Sequence, residues 1–241
     1  MHENTIIFVH SGTYDLITEF GEEYFANLEA DTGGHLGLQL GNGVSIIFAS
    51  NAFVICNYNG NNSVVNEYFS PFNFDFGTKG FYLENLHLEC SNVRYGIHDE
   101  GNNVTAPYKN RYKNCHIYID NSNNKNWNAK QCIGGGLGYS SEVEIDGCYF
   151  ESEGAGENGI VTYHNATGQA SANIRSNIVV KNSYFAQGGT VRCSYIGNQT
   201  KKSRMMVCGC SMGREPYKIQ ESSSYSVDNI ELLTWNNEIR N

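Results

Sequence analysis

The sequence predicts an all-β fold, a single parallel β-helix of about seven turns, from three observations. A short phrase returns along the chain, each copy alternates with period two, and asparagine and glycine are abundant. The phrase reads LENLHLEC, YKNCHIYI, IDGCYFES, VKNSYFAQ, VCGCSMG and VDNIELL. Its central slot holds Leu86, Cys115, Cys148, Ser183, Cys210 and Ile230, at spacings of 29, 33, 35, 27 and 20 residues. Two places later come Leu88, Ile117, Phe150, Phe185, Met212 and Leu232, so each copy is a strand whose two slots face one way. Before the slot stand Asn85, Asn114, Gly147, Asn182, Gly209 and Asn229. Both residue types tolerate positive φ, and 31 Asn and 26 Gly against 3 Pro supply many tight turns.

Self-similarity at a period of tens of residues marks a solenoid. The phrases lack a 3.6-residue period and are interrupted by Gly and Asn, which excludes helical repeats, and a leucine-rich repeat would keep a stricter period. In a parallel coil, like residues stack about 4.8 Å apart on successive turns. The slot is then one interior column accepting a small, weakly polar hydrophobe on each turn, which accounts for its cysteines. The Asn or Gly before it turns the corner, and stacked Asn amides hydrogen-bond along the coil.

A second strand follows four of the phrases: RYGIHDE, QCIGGGLG, NGIVTYHN and GTVRCSY. Ile97, Ile133, Ile160 and Val191 take equivalent inward positions, so His98, Gly134, Val161 and Arg192 face out, followed two places on by Glu100, Gly136, Tyr163 and Ser194. Gly134 and Gly136 would form a side-chain-free floor. His98, Asp99 and Glu100 lie at one side of it, and Tyr163, His164 and Arg192 at the other. Such a trough suits a sugar chain, with carboxylates and Arg bonding hydroxyls and Tyr stacking on a ring. Asp99, Glu100 and His164 are the candidate catalytic acid–base groups. Asp99 and Glu100 are strand neighbours that point oppositely, a poor pair for two-carboxylate hydrolysis. The competing reading is a turn with solvated charges and a tight glycine corner.

The outward column of the phrase strands reads His87, His116, Tyr149, Tyr184 and Ser211. Four stacked rings on an exposed face are expected to bind glycan, to pack against sister chains around a trimer axis, or to stiffen the sheet. Trp127, in the polar run NSNNKNWNAK, is a candidate sugar platform.

Residues 1–241 read as one domain, with irregular turns over 1–80 and regular turns over 81–240. TIIFVHSGTYDL and GVSIIFASNAFVICNY are the opening strand pairs. LITEFGEEYFANLEA, residues 16–30, reads as a short helix over the first turns. The first strand has no evident cap, so an upstream segment or a partner is expected to cover that end. Trp235 reads as a lid on the last turn.

A net charge of −9 argues against nucleic-acid and anionic-membrane partners. No apolar run reaches the roughly 20 residues of a membrane span. The start lacks the basic n-region of a signal peptide, and the eight Cys read as packed free thiols, so synthesis in the cytoplasm is expected. CGC at 208–210 and CH at 115–116 lack zinc spacing, GGGLG is no dinucleotide fingerprint, and no nucleophile elbow occurs. No metal or other cofactor is expected.

TIIFVHSGTYDL, the NCxF-like phrases, and the run RYGIHDE … IGGGLGYSSEVEIDGCYFES … VTYHN together resemble the pectin-lyase-like right-handed β-helix proteins, closest in flavour to bacteriophage tail-spike and tail-associated proteins. The resemblance spans residues 5–240. It implies a right-handed coil, contact with polysaccharide, a homotrimer, and virion-associated or extracellular use. The leading expectation is therefore a glycan-recognising adhesion module for bacterial surface polysaccharide. A polysaccharide lyase or glycoside hydrolase is the alternative, and a structural spacer a third. No complete catalytic signature of the polygalacturonase, pectate-lyase or pectin-methylesterase branches is present.

Overall fold

The computed structural model describes residues 5–21, 23–24, 36–39, 41, 43–59, 68–74, 80–100, 107–120, 131–137, 141–153, 160–165, 176–186, 189–194, 203–213, 217–220 and 230–240. Their strands form three parallel sheets of eight, eight and seven strands. Successive strands pass from the first sheet to the second to the third, and every pairing joins strands three places apart. One cycle runs Tyr82–Glu84, His87–Ser91 and Tyr95–Glu100. The next, Lys109–Lys113, His116–Asp120 and Gln131–Leu137, stacks on it, and Glu142–Asp146, Tyr149–Glu153 and Val161–Asn165 stack in turn. This all-β arrangement is compatible with a parallel β-helix.

The core lies between the sheets. In the second sheet Leu88, Ile117, Phe150 and Phe185 are successive partners and are fully buried. In the first, Leu83, Tyr112, Ile145, Val180 and Val207 do the same. Each buried aliphatic or phenyl side chain contributes roughly 1.5–3 kcal/mol, so these rows hold the turns together. Outside the first sheet, charge alternates between strands: Lys113 pairs with Glu84 at 3.3 Å, Lys109 with Glu142 at 2.7 Å, and Lys181 with Glu144 at 2.8 Å. Lys109 also contacts Glu144.

The corner before the second sheet follows the expected pattern. Asn85, Asn114, Gly147, Asn182 and Gly209 all have φ between 51° and 66°. Leu86, Cys115, Cys148, Ser183 and Cys210 behind them are each at most 2 % exposed. The slot does more than pack. Cys115, Cys148 and Cys210 donate their thiols, and Ser183 its hydroxyl, to the carbonyl two residues back, at 2.8–3.5 Å. In return, the Cys115 N–H donates to Cys148 Sγ at 3.4 Å, and the Cys148 N–H to Ser183 Oγ at 3.1 Å. The column is thus a relay that gives a bent backbone its missing acceptors. The seven cysteines whose side chains are described are all free thiols.

The sixth copy of the phrase is misplaced by the sequence pattern. Ile230 and Leu232 belong to the first sheet, opposite Ser203 and Met205. The true sixth corner is Asn236, with φ 52°, followed by Asn237, whose Oδ1 accepts the Cys210 N–H at 2.9 Å. The physical reason is a second interior corner column, Ser141, Ser176, Ser203 and Ile230, which uses similar chemistry: the Ser176 N–H donates to Ser203 Oγ at 3.1 Å. Alternation alone does not say which corner a phrase occupies.

Of two end features, the helix is found and the lid is not. The expected helix is present at Leu16–Phe20, capped by Asp15 Oδ1, which accepts the Ile17 N–H at 3.0 Å, and closed by Gly21 at φ 79°; Glu23 and Tyr24 are again helical, and residue 22 before them lies outside the described residues. Phe20 meets the Phe69 ring edge-on at 5.8 Å; residues 25–30 lie outside the described residues. Trp235 is no lid. It stands opposite Cys208 in the last strand of the first sheet and is 46 % exposed.

Ser183→Ala removes the acceptor of the buried Cys148 N–H and should cost about 1–3 kcal/mol in urea unfolding, whereas Ser183→Cys, which keeps an acceptor, should lose well under half of that.

Candidate functional site

Strand alternation and parallel register carry one outward row straight up the second sheet: Phe53, His87, His116, Tyr149 and Tyr184. Their ring centroids follow one another at 4.6, 4.4, 4.5 and 4.9 Å. Tyr149 and Tyr184 are stacked at 8°, the other pairs tilted or edge-on. Arg240 closes the row, its guanidinium 3.9 Å above the Tyr184 ring centre, and also contacts the Tyr184 hydroxyl. The rings are braced two residues on: His87 Nε2 lies 3.2 Å from Glu89, and the Tyr149 hydroxyl donates to Glu151 at 3.3 Å. Burial and the neighbouring His87 lower the pKa of His116.

The expected interface residues His87, His116, Tyr149 and Tyr184 therefore do form one outward column. Phe53 and Arg240 extend it at either end and were not read from the sequence. Phe53 belongs to an early turn without the full phrase, and Arg240 follows the unrecognised sixth corner.

The glycine stripe of the third sheet is built differently from the expected trough. Ile133 pairs with Val161 rather than Ile160. Both are buried, and Ile160 lies just before the strand with its carbonyl accepting the Cys132 N–H at 2.8 Å. The one-residue shift reverses the faces that follow. Tyr163 turns into the core and is fully buried; Thr162 and His164 take the outer rows. Along the outer side, His98, Gly134, Thr162 and Arg192 are partners, and Glu100, Gly136 and His164 form the next row.

The glycines do not leave an open floor. A Cβ on Gly136 would lie 2.3 Å from Glu100 Oε1, and one on Gly134 3.0 Å from the Tyr95 ring. Glu100 thus lies over Gly136 and reaches the strand beyond it, where Oε2 is 3.4 Å from His164 Nε2; its own strand's His98 Nε2 is 3.8 Å away. His98 in turn meets Asn73 Oδ1 through Nδ1 at 3.1 Å. His98, Glu100 and Arg192 are each at most 8 % exposed, so the expected sugar trough is a filled seam. His164 is its more open member, with a side chain 37 % exposed.

Gly135 does the same on the inside. Its own Cβ would sit 1.8 Å from the Asp99 carbonyl oxygen, so no other residue fits. Across it, the Tyr163 hydroxyl donates to Asp99 Oδ2 at 3.0 Å. Tyr112 donates to the same oxygen at 2.9 Å, and Asn110 Nδ2 to Oδ1 at 2.8 Å. Asp99 and Tyr163 are core residues here, not walls of a surface site, and Asp99 cannot meet a substrate at the outer face. Burial drives the Asp99 pKa up to about 7 against the pull of these three donors, with the Glu100 charge adding to the rise. Asn110 and Tyr112 escaped the sequence reading because they sit in a different sheet from Asp99. Trp127 lies outside the described residues.

Among the described residues no group of three or more His, Cys, Asp or Glu is placed to hold a metal ion, and no helix is long and apolar enough to cross a membrane. Comparison with protein-family models, curated proteins and solved structures finds no match to the chain.

Asp99 gives a signed pH dependence. Below about pH 4 it is protonated folded and unfolded alike. Between there and about 7 only the unfolded chain releases the proton, so stability falls as pH rises, by up to about 1.4 kcal/mol per pH unit. Glu144, held at about 2 by Lys109 and Lys181, acts only below this window and with opposite sign. Thermal unfolding followed from pH 4.5 to 7 should show a flatter profile for Asp99→Asn than for the native chain.

Proposed function

We propose that the chain is a right-handed β-helix of about seven turns, of the pectin-lyase-like kind, and that it recognises polysaccharide, as a tail-spike-like adhesion module does. The observation that carries this reading is the unbroken row of five rings on the outer face of the second sheet, with Phe53 39 % and Tyr184 36 % exposed. The ring spacing follows the strand repeat of about 4.8 Å, close to the advance of one sugar unit in an extended glycan. A glycan lying along the coil would present a sugar to successive strands. Ring side chains offer apolar surface to sugar C–H groups and a polar tip to hydroxyls. The carboxylates beside the rings favour this use over self-association, since a copy of the same face would bring like charges together. The homotrimer proposed with this reading would then use another surface.

A second reading, a polysaccharide-degrading enzyme, is favoured by one contact: Glu100 and His164, 3.4 Å apart at the outer seam, are a carboxylate–imidazole pair able to move a proton. Asp99 has no part in it.

Retention of the protein on bacterial surface-polysaccharide gels tests the leading reading. Phe53→Ala with Tyr149→Ala should weaken retention about thirtyfold, at about 1 kcal/mol for each ring removed; unchanged retention rejects the ladder as the binding face. Reducing-sugar release that is abolished by Glu100→Gln or His164→Ala would establish the enzyme reading instead.

A further inference from the structure

The ring row borders two rows whose chemistry is one-sided. The row beside it runs Ile55, Glu89, Tyr118 and Glu151, and the next Asn57, Ser91, Asp120 and Glu153. Thus the outward positions of these described strands hold four carboxylates and no Lys or Arg. The first sheet is the contrast, where Lys109, Lys113 and Lys181 interleave with Glu84, Glu142 and Glu144. Burial and the neighbouring His87 lower the pKa of His116, which lies between these carboxylate strands. Arg240 sits at the far end, over Tyr184.

Resting on the glycan-binding reading above, we infer that the second sheet takes a polysaccharide bearing free amino groups, and discriminates against uronate-rich or sulfated chains. The rings provide the stacking surface, and Glu89 and Glu151 provide the charge. Glu89 and Glu151 stand on strands two apart, either side of Tyr118. They hydrogen-bond His87 and Tyr149 of the ring row, which fixes the carboxylates close to any sugar lying on those rings. A protonated amine on such a sugar meets a carboxylate already oriented, while an anionic substituent meets repulsion from the same groups.

The test is calorimetric titration at about pH 5.5, where amines are protonated and surface carboxylates ionised. The probes are equal-length oligomers of glucosamine, N-acetylglucosamine and galacturonate, with an oligolysine as a charge-only probe. The glucosamine oligomer should bind about tenfold more tightly than its N-acetylated counterpart, with galacturonate weakest. The double variant Glu89→Gln, Glu151→Gln, checked for native thermal unfolding, should lose that preference, so that the glucosamine and N-acetylglucosamine oligomers bind with similar affinity. Equal or tighter galacturonate binding, or a preference that survives the double variant, overturns the inference and leaves glycan binding intact. Oligolysine binding as tight as glucosamine binding also overturns it, because the face would then be an acceptor for basic peptide. Failure of every sugar to bind removes the glycan reading itself.

Discussion

Where a stacked chain bends, backbone N–H groups leave the sheet ladder and must find acceptors without water. The relay at the corner before the second sheet meets that need. An Asn or Gly with positive φ swings the chain round, and the next residue sends its thiol or hydroxyl to the carbonyl two positions back. The same sulfur or oxygen accepts the N–H of the slot residue one turn before. The turns at Cys148, Ser183 and Asn237 therefore complete the hydrogen bonding of the turn before them, a contact that no single turn can make alone. Every outward row, including the ring ladder, inherits its alignment from the register of the stack.

Glycine plays the complementary part in the third sheet. Gly135 and Gly136 occupy the middle strand of three, and the space they leave is crossed by side chains from either side: Tyr163 to Asp99 within the core, Glu100 to His164 outside it. A run that reads as an absence is what lets strands two apart touch. The consequence is a buried carboxyl tied to two other strands, one in its own sheet and one in the first, which makes the stack sensitive to pH.

The stacking was legible because the corner chemistry repeats in one dimension. Cys115, Cys148, Ser183 and Cys210 share a slot type and a preceding Asn or Gly, and their outward neighbours are then fixed by alternation. Two kinds of information were not legible. One is which corner a phrase occupies: Ile230 fills a buried corner slot like the others, but in the column of Ser203, and only the positive φ of Asn236 marks the true sixth turn. The other is register where two apolar residues adjoin, as Ile160 and Val161 do; a shift of one sent Tyr163 inward and His164 outward, and dissolved the expected trough. Contacts between sheets, such as Tyr112 with Asp99, carry no period at all and left no trace in the pattern.

The stacking register is tested most directly by cysteine pairs on the outer face of the second sheet. Glu89 and Tyr118 are partners across adjacent strands, whereas Glu89 and Glu151 are separated by the strand between them. Cα atoms of adjacent strands lie about 4.8 Å apart, inside the range of about 4.4–6.8 Å that a disulfide spans, and strands two apart lie beyond it. Mild oxidation, with peptide mapping of the product, should cross-link Glu89→Cys with Tyr118→Cys and leave Glu89→Cys with Glu151→Cys unlinked. A cross-link in the second pair, or none in the first, would contradict the stack.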